Sequence, residues 1–276
     1  MAITVVGYLN IGSMSVGTLD LPVVADQVLS QSGSTGLIAP WSMNIPAAFL
    51  GLGGTTGYGR MNSPTLAQLI APLIRPAAGT IAPTSNPALQ FLGGGALRFP
   101  AGESLRVQVT VESSTLTGAF ALIFLQDRFE PIPQGPIYTI MFKSPGSGAT
   151  TPANGLWTPS LVEWSDQLPA GKYAIIAMEY VPDSASSPNF GLAARLILSG
   201  QTLRPGTLGI TGLDGQNSRY MYDHRFGVLG TFDSFAMPSV EVLWTGSSPA
   251  TGFHGFLQLV KIADANGKSC ACNGGR

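Results

Sequence analysis

Charge is what this chain has least of. Only 11% of its 276 residues are Asp, Glu, Lys or Arg, less than half the usual share of about 25%. The formal net charge is −1, which excludes the basic footprint of a nucleic-acid-binding protein. Before Arg98 the only charged side chains are Asp20, Asp26, Arg60 and Arg75. This end of the chain therefore holds no basic arm to neutralise packaged nucleic acid. Cysteine is nearly absent: Cys270 and Cys272 stand together in the tail "GKSCACNGGR". No further ligands lie near them to close a zinc site, so the tail reads as flexible chain with two free thiols. Asn-x-Ser/Thr sequons are missing. "MAITVVGYLNIGS" lacks the charged region and apolar core of a signal peptide, and no uncharged apolar run approaches the roughly 18 residues of a membrane span. The expectation is a protein made and folded in a cytoplasm.

What remains is apolar and rich in turn formers. Mean hydropathy is +0.26, with 35 Gly and 21 Pro. A chain of this length buries roughly three quarters of its unfolded surface and needs no disulfide or metal staple. Net charge keeps soluble molecules apart, a constraint that a subunit inside an assembly escapes. The composition thus points to an assembly; the plainer alternative is an all-β monomer with many uncharged turns.

Strand signals arrive at short intervals from Ala96 onward. "SLRVQVTVE" (104–112) alternates, with Leu105, Val107, Val109 and Val111 on one face. "GAFALIFLQ" (118–126), "PIYTIMFKS" (136–144), "LWTPSLVEW" (156–164), "KYAIIAMEYV" (172–181), "FGLAARLILS" (190–199) and "FGVLGTF" (226–232) follow. A closing pair spans Ser239 to Ile262. In its first strand Val240, Val242 and Trp244 oppose Glu241 and Thr245, with Leu243 breaking the polar side. In its second, Phe253, Leu257 and Leu259 oppose Phe256, Val260 and Ile262, so both faces are apolar and both need a cover. Regular short strands without helices predict a β-sandwich or barrel over residues 96–263, with residues 264–276 as a flexible tail. Pro-Ala-Gly precedes a strong strand twice, at Pro100 and Pro169; the flanking residues differ, so this is one turn chemistry used twice.

Residues 1–95 read as an apolar, Gly/Pro-rich, largely irregular extension. A short helix is expected at "SPTLAQLIAPLI", with Ser63 as N-cap and Pro64 at the first helical position. A second is expected at "LPVVADQVLSQ" (21–31). Such a segment needs something to lie against, either the sandwich of its own chain or a neighbour.

Catalytic patterns fail one by one. His224 stands in "YMYDHRFG" beside Asp223 and Arg225, where adjacent loop residues do not aim at one another; His254 reads as a strand-edge histidine. H-E-x-x-H and G-x-S-x-G are absent. "GKS" at 267–269 would need a glycine at Ile262, and "GLGGTTGYG" (51–59) has Thr56 where a dinucleotide loop needs its third glycine. Glu163/Asp166 and Asp127/Glu130 read as solvated turn carboxylates, not a glycosidase pair. Trp157, Trp164, Tyr180, Tyr220 and Tyr222 offer a lectin-like stacking platform, against which core packing is the default. Arg195 interrupts an apolar strand, and its guanidinium is expected to meet a carboxylate or carbonyl group at an interface; the alternative is a surface arginine on a long stem. No catalytic, cofactor-binding or metal-binding set is expected, and no cofactor.

"LPAGKYAIIAMEYV", "AARLILSGQTLRPGTLGI", "RFGVLGTFDSFAMPSVEVLW" and "GFLQLVKI", within 167–262, resemble the strands of viral jelly-roll capsid proteins, above all weakly charged ones from icosahedral bacteriophages. The resemblance implies a structural, self-assembling shell subunit, with copies tied into trimers or pseudo-hexamers within a virion assembled in the host cytoplasm. Few strand signals before residue 95 favour a single jelly roll with an extension over a poorly marked first half of a double one. Other capsid proteins or an internal membrane are expected beneath the shell, since nothing here grips a genome. The alternative function is a carbohydrate-binding or adhesive β-sandwich, such as a phage fibre head or lectin.

Overall fold

Twenty strands and one helical turn make up the computed structural model, which describes residues 3–26, 29–54, 57–68, 72–76, 89–92, 97–145, 155–182, 190–209, 226–245 and 252–264. The protein is all-β, and its sheets pair antiparallel. Its first half carries β1 (Ile3–Asn10), β2 (Gly17–Asp20), β3 (Ser30–Ser32), β4 (Gly36–Ile38), β5 (Met43–Leu52), β6 (Gly57–Asn62), α1 (Pro64–Gln68), β7 (Leu73–Ile74), β8 (Gln90–Phe91), β9 (Arg98–Phe99), β10 (Ser104–Val111) and β11 (Ala119–Gln126). The second half carries β12 (Ile137–Lys143), β13 (Trp157–Ser160), β14 (Glu163–Trp164), β15 (Gly171–Pro182), β16 (Phe190–Ile197), β17 (Gly206–Leu208), β18 (Gly230–Asp233), β19 (Ser239–Thr245) and β20 (Phe253–Asp264).

Each half is a pair of sheets. In the first, sheet I has the order β1-β11-β5-β8 with β9 also on β5, and sheet II the order β3-β4-β10-β6-β7 with β2 also on β10. In the second, sheet III runs β14-β12-β20-β15-β18 and sheet IV runs β13-β19-β16-β17. The pairings nest. In the second half β12 pairs β20, β13 pairs β19, β15 pairs β18 and β16 pairs β17. In the first half β1 pairs β11, β2 and β4 pair β10, β5 pairs β8 and β9, and β6 pairs β7. Both are ribbons doubled back on themselves and then rolled, so that β5 also meets β11, β6 meets β10, β15 meets β20 and β16 meets β19. The same strand order occurs twice in one chain.

This corrects the expected irregular extension. Strands before residue 95 pair directly with strands after it, and the break between halves falls in the segment joining β11 to β12. Residues 21–26 are not helical. Pro22 and Val24 lie along the free edge of β1, where Leu9 N–H donates to the Pro22 carbonyl and Val24 N–H to the Gly7 carbonyl, both at 2.9 Å; the chain then enters β3. Of the helix expected over "SPTLAQLIAPLI" only a single short turn, Pro64–Gln68, is helical, with Ser63 Oγ accepting from Leu66 N–H at 3.2 Å; Leu73–Ile74 is strand β7, and residues 69–71 lie outside the described residues. Beyond β20, residues 265–276, including Cys270 and Cys272, lie outside the described residues.

The two Pro-Ala-Gly turns serve different ends. Gly102 has φ 77°, a left-handed conformation that a side chain would strain. Gly171 has φ 153°, and a Cβ there would also sit 2.4 Å from the Ala263 carbonyl oxygen, so the neighbouring strand adds a second constraint. They precede β10 and β15, which occupy different places in the strand orders of the two halves.

Sheet I is the pivot of the molecule. All eight residues of β11, "AFALIFLQ", are buried. Its even-numbered side chains Phe120, Leu122 and Phe124 join Ile3, Val5, Leu9 and Phe49 in one core with the second half. Its odd-numbered Ala121, Ile123 and Leu125 join Val6, Tyr8 and Leu50 in another core with Val107, Val109 and Met61 of sheet II. Tyr8 donates its hydroxyl to the buried Leu105 carbonyl at 2.8 Å, and burial pushes the phenol far above its ordinary pKa. Strands β10 and β20 alternate buried and less buried residues instead. Phe253, Leu257 and Leu259 of β20 belong to the core, while Phe256 and Ile262 are half-buried on the outer face of sheet III. The N-terminal strands cover the second half through sheet IV, not through that outer face: a Cβ on Gly7 would lie 3.3 Å from Leu243 of β19, and one on Gly206 of β17 would lie 2.5 Å from Val5.

Candidate functional site

The seam between the halves holds a buried cluster of four charges. Arg195 on β16 stands in register opposite Glu241 on β19, and its Nε donates to Glu241 Oε2 at 2.6 Å. Its Nη1 donates at 2.6 Å to Asp26 Oδ2, a residue of the first half. Arg204, in the connection from β16 to β17, places Nη1 2.7 and 2.6 Å from the two Glu241 oxygens. The side chains of Arg195, Asp26 and Glu241 are 0%, 1% and 2% exposed, and Arg204 13%. Two guanidinium groups against two carboxylates leave no net charge, which is what makes such burial tolerable. Main-chain bonds brace the same spot: Val5 N–H donates to the Arg204 carbonyl, and Arg204 N–H donates to Thr4 Oγ1, each at 3.2 Å.

Trp157 on β13 closes the cluster, with the Arg195 guanidinium carbon 4.3 Å from the ring centroid. Beside them a pocket of about 190 Å³ is lined by Ala25, Asp26, Leu156, Trp157, Arg195 and Glu241. Among the described residues, Arg195 Nη2 and Trp157 Nε1 are buried donors without a hydrogen-bond partner.

Arg195 thus meets two carboxylates at an interface, one inside its own chain. Its partners were hidden for separate reasons. Asp26 lies in a stretch whose apolar spacing suggests a helix, and Glu241 sits on what reads as the solvent side of β19. That side is buried, with Glu241 1%, Leu243 0% and Thr245 5% exposed. Leu243 on the polar side of β19, together with one arginine in the adjoining strand, was the available signal.

The other candidates do not converge. Trp157 and Tyr180 are core residues at 8% and 0% exposure, and Trp164 packs on Phe142, so these aromatics form no open platform. Glu163 pairs with Lys143 at 3.4 Å, and Asp166 accepts from Ser165. His254 is half-buried with its ring edge against Phe256. Gly51 and Gly53 of the glycine-rich stretch belong to β5 and to the turn after it, with Gly53 N–H donating to the Gly118 carbonyl. His224, Asp223, Arg225, Tyr220, Tyr222 and the 267–269 "GKS" lie outside the described residues. Among the described residues no group of three or more His, Cys, Asp or Glu could hold a metal, and no helix is long and apolar enough to cross a membrane. Comparison with protein-family models, with curated proteins and with solved structures finds no match to this chain.

Proposed function

We propose that this protein is a self-assembling shell subunit built from two jelly rolls in tandem. Nested pairing of eight-strand ribbons, rolled into two facing sheets, is the defining connectivity of a jelly roll. Its occurrence in both halves favours the double roll over the single one. Jelly rolls also serve lectins and enzymes, so connectivity alone does not fix the activity.

The observation that carries the reading is the fusion of two like sandwiches into one block within a charge-poor chain. Sheet I is buried on both faces, and the seam is pinned by four charges, so the halves cannot hinge freely. A rigid subunit with two similar units suits tiling: three copies present six similar rolls around one axis, a pseudo-hexamer. Large apolar side chains stand exposed in loops and strand ends, among them Phe129 at 61%, Leu161 at 71% and Phe235 at 79%. Contacts of roughly 800 Å² per partner need such uncharged surface. With so few cations before Arg98, the inner face is suited to another protein layer or a membrane, and a bacteriophage virion assembled in the host cytoplasm is the setting this implies.

The test is the mass of the purified full-length protein by light scattering after size exclusion. Trimers or larger defined particles are expected, free of nucleic acid at moderate salt. A monomer at high concentration, or tightly held nucleic acid, overturns the reading.

A further inference from the structure

Strand β2 offers main-chain hydrogen bonds that no other strand takes up. It pairs only with β10, from Gly17 opposite Val111 to Asp20 opposite Gln108. Leu21 N–H continues that register, donating to the Val107 carbonyl at 2.8 Å. Bonding groups alternate along an antiparallel strand. Gly17 and Leu19 therefore bond toward β10, while Thr18 and Asp20 aim their N–H and C=O groups outward. Among the described residues no strand lies on that side, and Gly17, Thr18 and Leu19 are exposed. The side chains agree. Residues opposite each other share a face, so Leu19 points toward the core beside Val109. Val109 is 0% exposed, whereas Leu19, with no strand beyond it, is 39% exposed.

Edges are ordinarily guarded by proline or charge, because an open edge pairs with other chains. Pro72 and Pro76 flank β7, Pro159 stands on β13, and Glu163 of β14 is ion-paired with Lys143. Val16–Asp20 contains neither proline nor lysine, and its one charge, Asp20, is held 3.4 Å from Arg106 on β10. We propose that β2 pairs antiparallel with β2 of a second copy, across a two-fold axis through Leu19. Paired residues must both point outward, so the axis passes through a residue and not between two. An axis at Asp20 would set two carboxylates directly opposite, which is destabilising. One at Thr18 would set Asp20 against the apolar Val16. The axis at Leu19 sets Thr18 opposite Asp20, makes about four main-chain hydrogen bonds and brings the two leucines side by side. Sheet II then runs on from one copy into the next. Such a contact covers far less than the roughly 800 Å² per partner of a stable complex, so it rests on the shell reading. It joins copies already held in trimers, and a closed shell needs a second, two-fold contact of this kind between trimers.

Cross-linking tests it in the full-length protein carrying Cys270→Ser and Cys272→Ser. Leu19→Cys and Thr18→Cys are oxidised separately and read on non-reducing gels, while light scattering of wild type reads assembly. Directly opposed residues at a non-hydrogen-bonded site lie about 4.5 Å apart at Cα, within the roughly 4.4–6.8 Å of a disulfide. Two Thr18 residues would be diagonal neighbours at about 7–8 Å. Leu19→Cys is expected to give at least about tenfold more disulfide dimer than Thr18→Cys. Thr18→Pro removes an outward N–H while leaving every bond to β10, as proline does on an open edge, and should reduce particles to trimers. Leu19→Lys, which sets two cations together on the axis, takes its place if the proline variant misfolds. Linkage at Thr18 equal to or above that at Leu19, or unchanged particle mass in the blocked variant, overturns the proposal. Wild-type particles without the Leu19 link refute this contact and leave the shell reading standing, whereas a monomeric wild type refutes both.

Discussion

The two halves share a strand order and differ in how they hold it. In the second half the ribbon is carried by long strands, such as the twelve-residue β15 and β20. In the first half the corresponding places are partly filled by fragments. The partners of β5 on one side are β8 and β9, two residues each, and β4 has three. What compensates is burial: β1, β5 and β11 are covered on both faces, by sheet II on one side and by the second half on the other. The first half thus borrows its second cover from its neighbour. A sheet pair with such short edge strands gains from a covering neighbour, and that interdependence is the property most open to attack.

The largest effect is expected from deleting residues 1–60, which removes β1 and β5 from both sides of β11. An independent extension could be lost without unfolding the remainder; here the truncated chain should not yield soluble, cooperatively folded protein by circular dichroism and urea titration. Next comes the seam. Arg195→Met leaves Asp26 buried beside Glu241 and should cost about 3–5 kcal/mol, the range for breaking a buried pair, seen as a lower urea midpoint. Phe124→Ala on the covered face of β11 should cost a similar 3–5 kcal/mol. Phe256→Ala on the half-open face of sheet III should cost nearer 1 kcal/mol; equal losses would show that both faces are closed alike. Tyr8→Phe strands the Leu105 carbonyl in the core of the first half, for about 1–3 kcal/mol.

The smallest effect concerns pH. Burial raises the Glu103 pKa, but hydrogen bonds from the Thr65 side chain and backbone and from Ser63 outweigh it, leaving the carboxyl below its ordinary value. A depressed folded value means stability that is present above the unfolded carboxylate pKa and lost as pH falls through the folded one. Glu103→Gln should remove that acid-side dependence and slightly lower the neutral-pH urea midpoint, where the ionised carboxylate contributes.

Strands from β10 onward were legible because most are long and bounded by turns. Leu105, Val107, Val109 and Val111 of β10 alternate cleanly and are buried as their spacing requires. The chain before β10 was opaque for physical reasons. Pro46 interrupts β5, and strands rarely tolerate proline away from edges and bulges; it sits where the β5 register against β11 shifts, between the Asn44–Gln126 and Ala47–Phe124 pairs. Gly51, Gly53 and Gly57 look like permissive loop, yet Gly51 lies within β5, Gly57 opens β6, and a Cβ on Gly53 would strike Thr117. Two-residue strands carry no periodicity at all. Of the seam, Arg195 announced itself by breaking an apolar strand, whereas Asp26 is 169 residues away in sequence and no local pattern links them.

The central claim is that two like rolls, locked side by side, form a unit that tiles. Electron microscopy of the purified full-length protein tests it most directly. Six-lobed particles, each the outline of three chains, or closed shells made from them, are the predicted result. Isolated two-lobed molecules that stay single as concentration rises would contradict it.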